Sequence, residues 1–240
     1  MSWDLNVLRQ AIEQLYGPEH LAKLSPCLNS IVERQEFSRF YYHESKVALE
    51  KILHDKTDQA SLLRLVLPFD SEEREMFEDC KFIARAHILS CIQNMHSMSD
   101  ILGHVVYYSL NIDKAKQESD ISLKSVIDWV NGDCELDFIK VTLDEFTKHN
   151  DYKYLSALVN HSKHRSIIEP YFNVNLLKKG RDMQEIRFRG FTFNRIEYPS
   201  RIVHEFLESE FDRESILVIK IGNEVNRIVQ NVANRVAEGI

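Results

Sequence analysis

The sequence is poor in the two residues that interrupt helices and form tight turns. Its 240 residues include only seven glycines and five prolines. So little glycine argues against β-sandwiches, β-barrels, long flexible linkers and the glycine-rich loops that hold phosphate groups. Hydrophobic residues (44%) and charged residues (28%) occur at ordinary levels for a folded protein. We therefore predict a mainly α-helical chain with a sizeable core.

Cysteines are few and scattered. The four cysteines, Cys27, Cys80, Cys91 and Cys134, form no CxxC pair, which excludes a zinc knuckle and a thioredoxin-like motif. The N-terminal residues MSWDLNVLRQ lack the basic segment and apolar run of a signal peptide. No stretch of about 18 apolar residues occurs either. We expect a cytoplasmic protein with reduced thiols and no membrane partner.

The common signatures of catalysis are also missing. GxSxG, HExxH, the P-loop and GxGxxG do not occur, so the usual hydrolase, metalloprotease and nucleotide-binding families are not indicated. We accordingly predict no cofactor. A Ser/His/Asp triad stays open, because its members need not be close in the sequence.

Negative charge dominates the chain, but its distribution is uneven. The formal net charge is −7, which argues against a duplex DNA partner. Between His161 and Arg201, however, nine Lys and Arg stand against four Asp and Glu, so this segment carries +5 and the remainder carries −12. One face is expected to attract an anion, although charges on solvated hairpins often have no specific role.

The spacing of apolar residues predicts helices along the first 165 residues. Asp4 is expected to cap a first helix that stops at Gly17. Two or three helices should follow over 19–66. Pro68 should break this pattern, with Asp70 or Ser71 as the next N-cap. Further helices are predicted around 123–131, 136–148 and 151–165.

A long central helix is predicted over about 72–110. Between Arg85 and Asp113 the only formally charged residue is Asp100, so we expect this helix to be covered on most sides. Its broad apolar face is predicted to comprise Ile88, Cys91, Ile92, Met95, Met98, Leu102, Val105 and Val106.

The pattern changes after residue 166. IIEPYFNVNLL, EIRFRGF and FTFNRIEY alternate β-branched or aromatic residues with polar ones. The alternation predicts a hairpin that turns near Gly190, with Arg187 and Arg189 together on the face opposite the aromatic residues. Pro199 is expected to open a helix, and a last helix is predicted over 214–236. The predicted architecture is a single helical domain, 1–240, with a small antiparallel β-sheet inserted at 167–197.

One stripe of the central helix carries candidate metal ligands. His96, Asp100 and His104 are spaced by four and share a face. Three interpretations are open: a solvated polar side, a buried polar network in which the carboxylate pairs with the imidazoles, or a metal site completed from elsewhere by His161 or His164.

A second cluster, NHSKHR, follows the apolar run YLSALV. In a helix, Leu155, Leu158 and Val159 would face the core, while Asn160 and His164 share another face. Lys163 and Arg165 fall near the helix C-terminus, where cations are favourable. The favourable position of cations at a helix end does not account for the asparagine–histidine pair.

These residues resemble the RNxxxH segment of HEPN-type helical-bundle proteins, in which a helix carries Arg-Asn and, four residues after the asparagine, a histidine. Asn160 and His164 match that spacing over about seven residues, and Val159 stands where the family has arginine. The resemblance implies a homodimer that acts on RNA, with a role in stress response or phage defence.

The resemblance gives each candidate residue an expected role. His164 would act as a general acid or base on a ribose 2′-hydroxyl, with Asn160 orienting it and Asp100 assisting. Lys163 and Arg165 would hold phosphate, and Arg187 and Arg189 would guide the strand.

Two other functions stay open. A non-catalytic protein-interaction module is favoured by the missing arginine before Asn160. A metal-dependent hydrolase would use His96, Asp100, His104 and His161.

Overall fold

The structure, a computed structural model, describes residues 2–67 and 71–238. Over these ranges the chain forms eight α-helices and five short β-strands, which confirms the prediction of a mainly α protein with a small antiparallel sheet. No described helix is both long and apolar enough to cross a membrane. The helices are α1 (Leu5–Tyr16), α2 (Pro18–Leu53), α3 (Gln59–Val66), α4 (Glu72–Ser109), α5 (Leu123–Val130), α6 (Asp137–Lys148), α7 (Asn150–His164) and α8 (Val203–Glu238).

The strands form two small antiparallel groups. Their bounds are β1 (Pro170–Val174), β2 (Gln184–Phe188), β3 (Phe191–Phe193), β4 (Ile196–Tyr198) and β5 (Arg201–Ile202). A three-stranded sheet has the order β1-β2-β5, with Asn173 opposite Glu185. A separate hairpin pairs β3 with β4, with Phe191 opposite Tyr198.

Two predictions for this region were wrong. Gly190 separates β2 from β3, but these strands do not pair, and the turn of the β3–β4 hairpin lies at Asn194 and Arg195, which both have positive φ. Pro199 does not open a helix. It precedes β5, and α8 then continues through residue 214 as a single helix of 36 residues.

The helix caps follow the sequence closely. Asp4 accepts hydrogen bonds from the backbone N–H groups of Asn6 and Val7, at 3.0 and 3.1 Å, as predicted. The Ser71 hydroxyl accepts from the Arg74 N–H at 3.2 Å at the start of α4. The alternative cap, Asp70, and the predicted break at Pro68 lie outside the described residues.

The described residues divide into two compact units. The first contains 2–36, 95–153 and 211–238, and the second contains 37–67, 71–94 and 154–210. Each of the helices α2, α4 and α8 has one part in the first unit and another part in the second. That the chain is a single domain stays a prediction.

The first unit is entirely helical. Its core contains buried residues of α1, α2, α4, α5, α6 and α8, and the predicted apolar face of α4 contributes Leu102, Val105 and Val106, each at most 1% exposed. The N-terminus is fixed to α8, because Trp3 donates to the Asn226 side chain at 3.1 Å. A Cβ atom at Gly222 would lie 2.2 Å from the Trp3 ring, so this approach requires glycine.

The second unit contains both strand groups. Phe172 of β1 packs edge-on against the buried Phe77 of α4, with ring centroids 5.1 Å apart. The end of α2 is held by the segment before β2: Arg181 donates to the His54 carbonyl at 2.9 Å, and Gln184 donates to the Lys56 carbonyl at 2.6 Å. These bonds satisfy carbonyl groups near the helix C-terminus and fix the sheet beside it.

A buried carboxylate holds the β1–β2 pair together. Glu185 accepts hydrogen bonds from Asn173 at 3.2 Å and Asn175 at 2.9 Å, and it forms ion pairs with Lys178 at 3.0 Å and Arg187 at 3.1 Å. Burial of this side chain, which is 5% exposed, raises its pKa, but the four bonds outweigh burial and lower the pKa to about 2. Lys178 and Arg187 are therefore both engaged in ion pairs with Glu185.

Replacing Glu185 is expected to destabilise the protein in a pH-dependent way. A carboxyl whose pKa falls from 4.5 to about 2 on folding contributes stability above pH 4.5, and this contribution is lost as the pH falls towards 2. Glu185→Gln should thus lower the free energy of unfolding at pH 7 by about 3 kcal/mol. Urea denaturation of both proteins at pH 7 and pH 3 should show a smaller difference at pH 3.

Glu169→Gln is the matched control. It removes an ion pair with Arg85 whose two side chains are 56% and 34% exposed, and it should cost less than about 1 kcal/mol. Equal losses for the two variants, or a Glu185→Gln loss that does not change with pH, would contradict the role assigned to Glu185.

Candidate functional site

Helix α7 presents the NHSKHR segment. Leu155, Leu158 and Val159 are each 0% exposed, which confirms the predicted core face of the helix. Lys163 and His164 are exposed on the last turn, and Arg165 follows the helix end. The buried face thus directs the polar end of the segment outward.

The asparagine–histidine pair has a simple local geometry. Asn160 is half-buried and its amide donates to the Ser156 hydroxyl at 3.2 Å, within the same helix. His164, one turn later, is exposed. Val159, which occupies the position of the family arginine, is completely buried. An arginine at that point of α7 would face the core rather than a substrate.

His161 joins the end of α7 to the β3–β4 hairpin. Its Nδ1–H donates to the Ser166 carbonyl at 2.7 Å, and its ring lies edge-on to Phe191 and Phe193, with centroids 5.7 and 6.1 Å apart. A donating Nδ1 leaves Nε2 as the acceptor in the neutral ring. These contacts give His161 a positioning role.

The hairpin itself is built around aromatic residues. Phe191 and Tyr198 stack across the two strands, with centroids 4.9 Å apart and planes 12° apart. The turn uses Asn194 and Arg195 with φ of 49° and 66°. Such left-handed pairs suit two-residue hairpins, and they leave the Arg195 side chain exposed beyond the strands.

One cation of α7's C-terminal end packs over a ring of the hairpin. The Arg165 guanidinium lies 5.0 Å from the centroid of the Phe193 ring. Within the described part of the chain, Lys163, Arg165 and Arg195 form no ion pair. We call this region the α7–hairpin surface; it comprises His161, Lys163, His164, Arg165, Phe191, Phe193 and Arg195.

The two arginines predicted to guide a strand differ in their surroundings. Arg189 is exposed, and its guanidinium lies 5.0 Å from the centroid of the Tyr171 ring. Arg187 is held by Glu185 and also donates to the Ser200 hydroxyl at 3.2 Å. Arg189 therefore offers a second cation–aromatic pair, whereas Arg187 mainly supports the sheet.

An aromatic cluster lies beneath the hairpin and fixes α7. Tyr154 is 1% exposed, and its ring packs within 4.9–6.5 Å of the rings of Phe188, Phe191, Tyr198 and Phe206. The Arg201 guanidinium lies 4.6 Å from its centroid. Burial raises the pKa of the Tyr154 hydroxyl, which has no hydrogen-bond partner among the described residues.

The His/Asp stripe of α4 lies in the first unit, whereas Asn160 and His164 lie in the second. His96 is 8% exposed and stacks on Tyr152 at 6.2 Å, His104 is half-buried beside Tyr108, and Asp100 is exposed. Among residues 2–67 and 71–238, these three do not bring ligand atoms within 4.8 Å of one another. The stripe thus presents no assembled metal centre in this conformation.

No sequence motif indicates a cluster of side chains that lies between α2 and the start of α8. The Tyr42 hydroxyl donates to the Glu208 carboxylate, which also pairs with Lys46 at 3.0 Å. Burial, with some help from Lys46, lowers the pKa of His204 to about 4. Burial and Glu208 raise the pKa of Tyr42. A neutral imidazole and a weakly acidic phenol make this cluster a poor proton-transfer site at neutral pH.

Removing the buried Tyr154 hydroxyl should stabilise the protein. A buried hydroxyl without a partner costs free energy, so Tyr154→Phe is expected to raise the free energy of unfolding by about 1 kcal/mol. Tyr152→Phe is the matched control, because the Tyr152 hydroxyl donates to Ser99 at 2.9 Å and its loss should lower stability by about 1 kcal/mol. Urea denaturation distinguishes the two signs, and a destabilised Tyr154→Phe variant would show that the hydroxyl has a partner.

Comparison with protein-family models, with curated proteins and with solved structures finds no match to this chain. The function must therefore be inferred from the chemistry of the residues described above.

Proposed function

We propose that the α7–hairpin surface binds single-stranded RNA without cleaving it. The observation that carries the proposal is the Arg165 guanidinium over the Phe193 ring. Lys163, two residues before Arg165, and Arg195, two residues after Phe193, are also exposed. A guanidinium plane supported by an aromatic ring can stack on a nucleobase, while neighbouring cations contact phosphates. Such recognition suits any unpaired base, so the proposed ligand class is single-stranded rather than duplex.

The charge distribution supports an anionic ligand here. The segment 161–201 carries +5 in a chain of net charge −7. Glu185 pairs with both Lys178 and Arg187, and Glu50 pairs with Arg181, so these three cations have acidic partners. Arg165 and Arg189 are exposed and lie over aromatic rings. A strand that follows them would cross from Phe193 towards Tyr171.

The resemblance to HEPN proteins points to RNA as well, but Val159 makes binding the better proposal. Transition-state stabilisation in phosphoryl chemistry requires a cation near the reacting phosphate. The side chain at 159 is buried and apolar. His164 is exposed and accessible to a ligand, and in our proposal it contributes a contact to the ribose or phosphate.

The proposed setting is the cytoplasm, and the proposed assembly is a homodimer. Cys27, Cys80, Cys91 and Cys134 are all free thiols, which suits a reducing compartment. A role in stress response or phage defence belongs to the same proposal and rests on the HEPN resemblance.

Binding is tested with a fluorescein-labelled 12-nucleotide RNA by fluorescence anisotropy, alongside the same RNA annealed to its complement. The variant Lys163→Ala/Arg165→Ala should weaken binding of the single strand at least tenfold. Lys163 is the proposed phosphate contact of this pair, so its loss should also reduce the slope of log K against log salt by about 0.7. Lys23→Ala/Lys124→Ala is the control, because it removes two exposed cations of the first unit and should leave binding unchanged.

The same samples decide between binding and cleavage. RNA is incubated with the protein in EDTA and resolved on a denaturing gel, with His164→Ala in parallel. Intact RNA is the expected result. Product that disappears in His164→Ala would replace the proposal with a metal-independent ribonuclease. Absence of both binding and cleavage would leave the protein-interaction module as the better function.

A further inference from the structure

The second unit exposes a concentrated apolar patch on α2 and α4. Phe37 and Phe40 of α2 are 47% and 54% exposed, and Phe82 and Ile83 of α4 are 69% and 43% exposed. We call these four residues the α2–α4 patch. They are large side chains on rigid helices, and none belongs to the α7–hairpin surface.

The two helices pack side by side where the patch lies. The rings of Tyr41 and His87 are 5.8 Å apart, and the Cys91 thiol donates to the Ser38 carbonyl at 3.3 Å. Phe37 lies one turn before Tyr41 on α2, and Ile83 lies one turn before His87 on α4. The four apolar side chains therefore flank one contact line between the helices.

The exposed area is large enough to matter for association. With about 200 Å² for a whole phenylalanine side chain, the three exposed fractions sum to about 340 Å². A standard interface buries about 800 Å² on each partner, so three residues supply about two-fifths of one side. Ile83, which is 43% exposed, adds to this area, so the four side chains supply about half of one side and form the apolar centre of an interface with a polar rim.

The charges around the patch suit a second copy of the same surface. In a twofold dimer each residue meets either itself or its symmetry counterpart, so like charges near the axis are costly. The stretch 86–99, which follows the patch on α4, contains no Asp, Glu, Lys or Arg. Beside the patch itself, Lys81 and Arg85 each form an ion pair with an acid of the same chain. Asp79 and His87 lie one turn before and one turn after Ile83, on the same side of the helix.

We propose that a second copy of this chain docks on the α2–α4 patch, with the two α4 helices antiparallel and the twofold axis near Ile83. This arrangement places Asp79 of each copy beside His87 of the other, and it buries Phe82 and Ile83 at the centre. The inference locates the interface of the homodimer in the proposed function, and it does not depend on RNA binding.

The decisive experiment is sedimentation equilibrium of the full chain over 1–100 μM. The wild type should sediment as a dimer, with twice the 28.2 kDa chain mass. Phe82→Glu should raise the dimer dissociation constant at least a hundredfold. Phe138→Glu is the matched control, because Phe138 is a 52% exposed phenylalanine on α6 of the first unit and should leave the dimer intact.

A charge exchange tests the geometry itself. Asp79→Lys places a cation beside His87 of the other copy and should raise the dissociation constant at least tenfold. Adding His87→Glu to the same chain places opposite charges across the interface and should recover most of the loss. A wild type that stays monomeric at 100 μM, equal effects of Phe82→Glu and Phe138→Glu, or no recovery in the double variant would overturn the proposal. Thermal unfolding of each variant establishes that it is folded.

The two proposals fail separately. Monomeric Phe82→Glu should still bind the 12-nucleotide RNA with wild-type affinity, and Lys163→Ala/Arg165→Ala should still dimerise. A dimer that binds no RNA would refute the proposed function alone, and a monomer that binds RNA would refute the interface alone.

Discussion

Burial of Tyr154 among the rings of Phe188, Phe191, Tyr198 and Phe206 fixes the rotation of α7 about its axis. A helix advances by about 100° per residue, so the position of one large buried ring determines where every later side chain of α7 points. Val159 is consequently directed inward, while Lys163 and His164 emerge on the last turn. Two of these rings, Phe191 and Tyr198, belong to the hairpin, so the helix end and the hairpin are positioned together.

Glu185 fixes the β1–β2 pair of the sheet, as Tyr154 fixes α7. Its four partners come from β1, β2 and the connection between them, so one carboxylate ties together groups that would otherwise repel or remain solvated. The energetic consequence is a rigid β1–β2 pair beside the end of α2. The electrostatic consequence is that Lys178 and Arg187 share one carboxylate, which the +5 counted along the sequence already includes. The pairing therefore leaves the net charge unchanged but engages these two cations, and the cations that matter for a ligand are Arg165 beside Phe193 and Arg189 beside Tyr171.

Local rules predicted the helices well and the strand pairing badly. The Asp4 cap and the core face at Leu155, Leu158 and Val159 depend on neighbours within one or two turns, which the sequence displays directly. The predicted hairpin turn at Gly190 is wrong because Asn194 and Arg195, and not a glycine, adopt the left-handed conformation at the turn. Gly190 has a different role, since a Cβ there would lie 3.3 Å from the Tyr198 carbonyl.

The candidate site likewise depends on contacts between residues that are distant in the sequence. The shared helical face of Asn160 and His164 could be predicted, but the pairing of Arg165 with Phe193 joins residues 28 positions apart through a tertiary contact. The partners of Glu185 were invisible for the same reason, because a carboxylate in an alternating strand gives no sign of its burial. The only indication of these contacts in the sequence is that this region is rich in arginine and aromatic residues.

The two proposed surfaces differ in the kind of contact they favour, which explains how one unit can carry both. The α2–α4 patch is apolar, and the neighbouring Lys81 and Arg85 each form an ion pair within the chain, so self-association there incurs little repulsion. The α7–hairpin surface is cationic, so two copies would repel there unless a polyanion lies between them. A dimer through the patch would carry two RNA-binding surfaces. An RNA long enough to reach both would then bind more tightly than a short one, because the second contact forms at the high effective concentration set by the first.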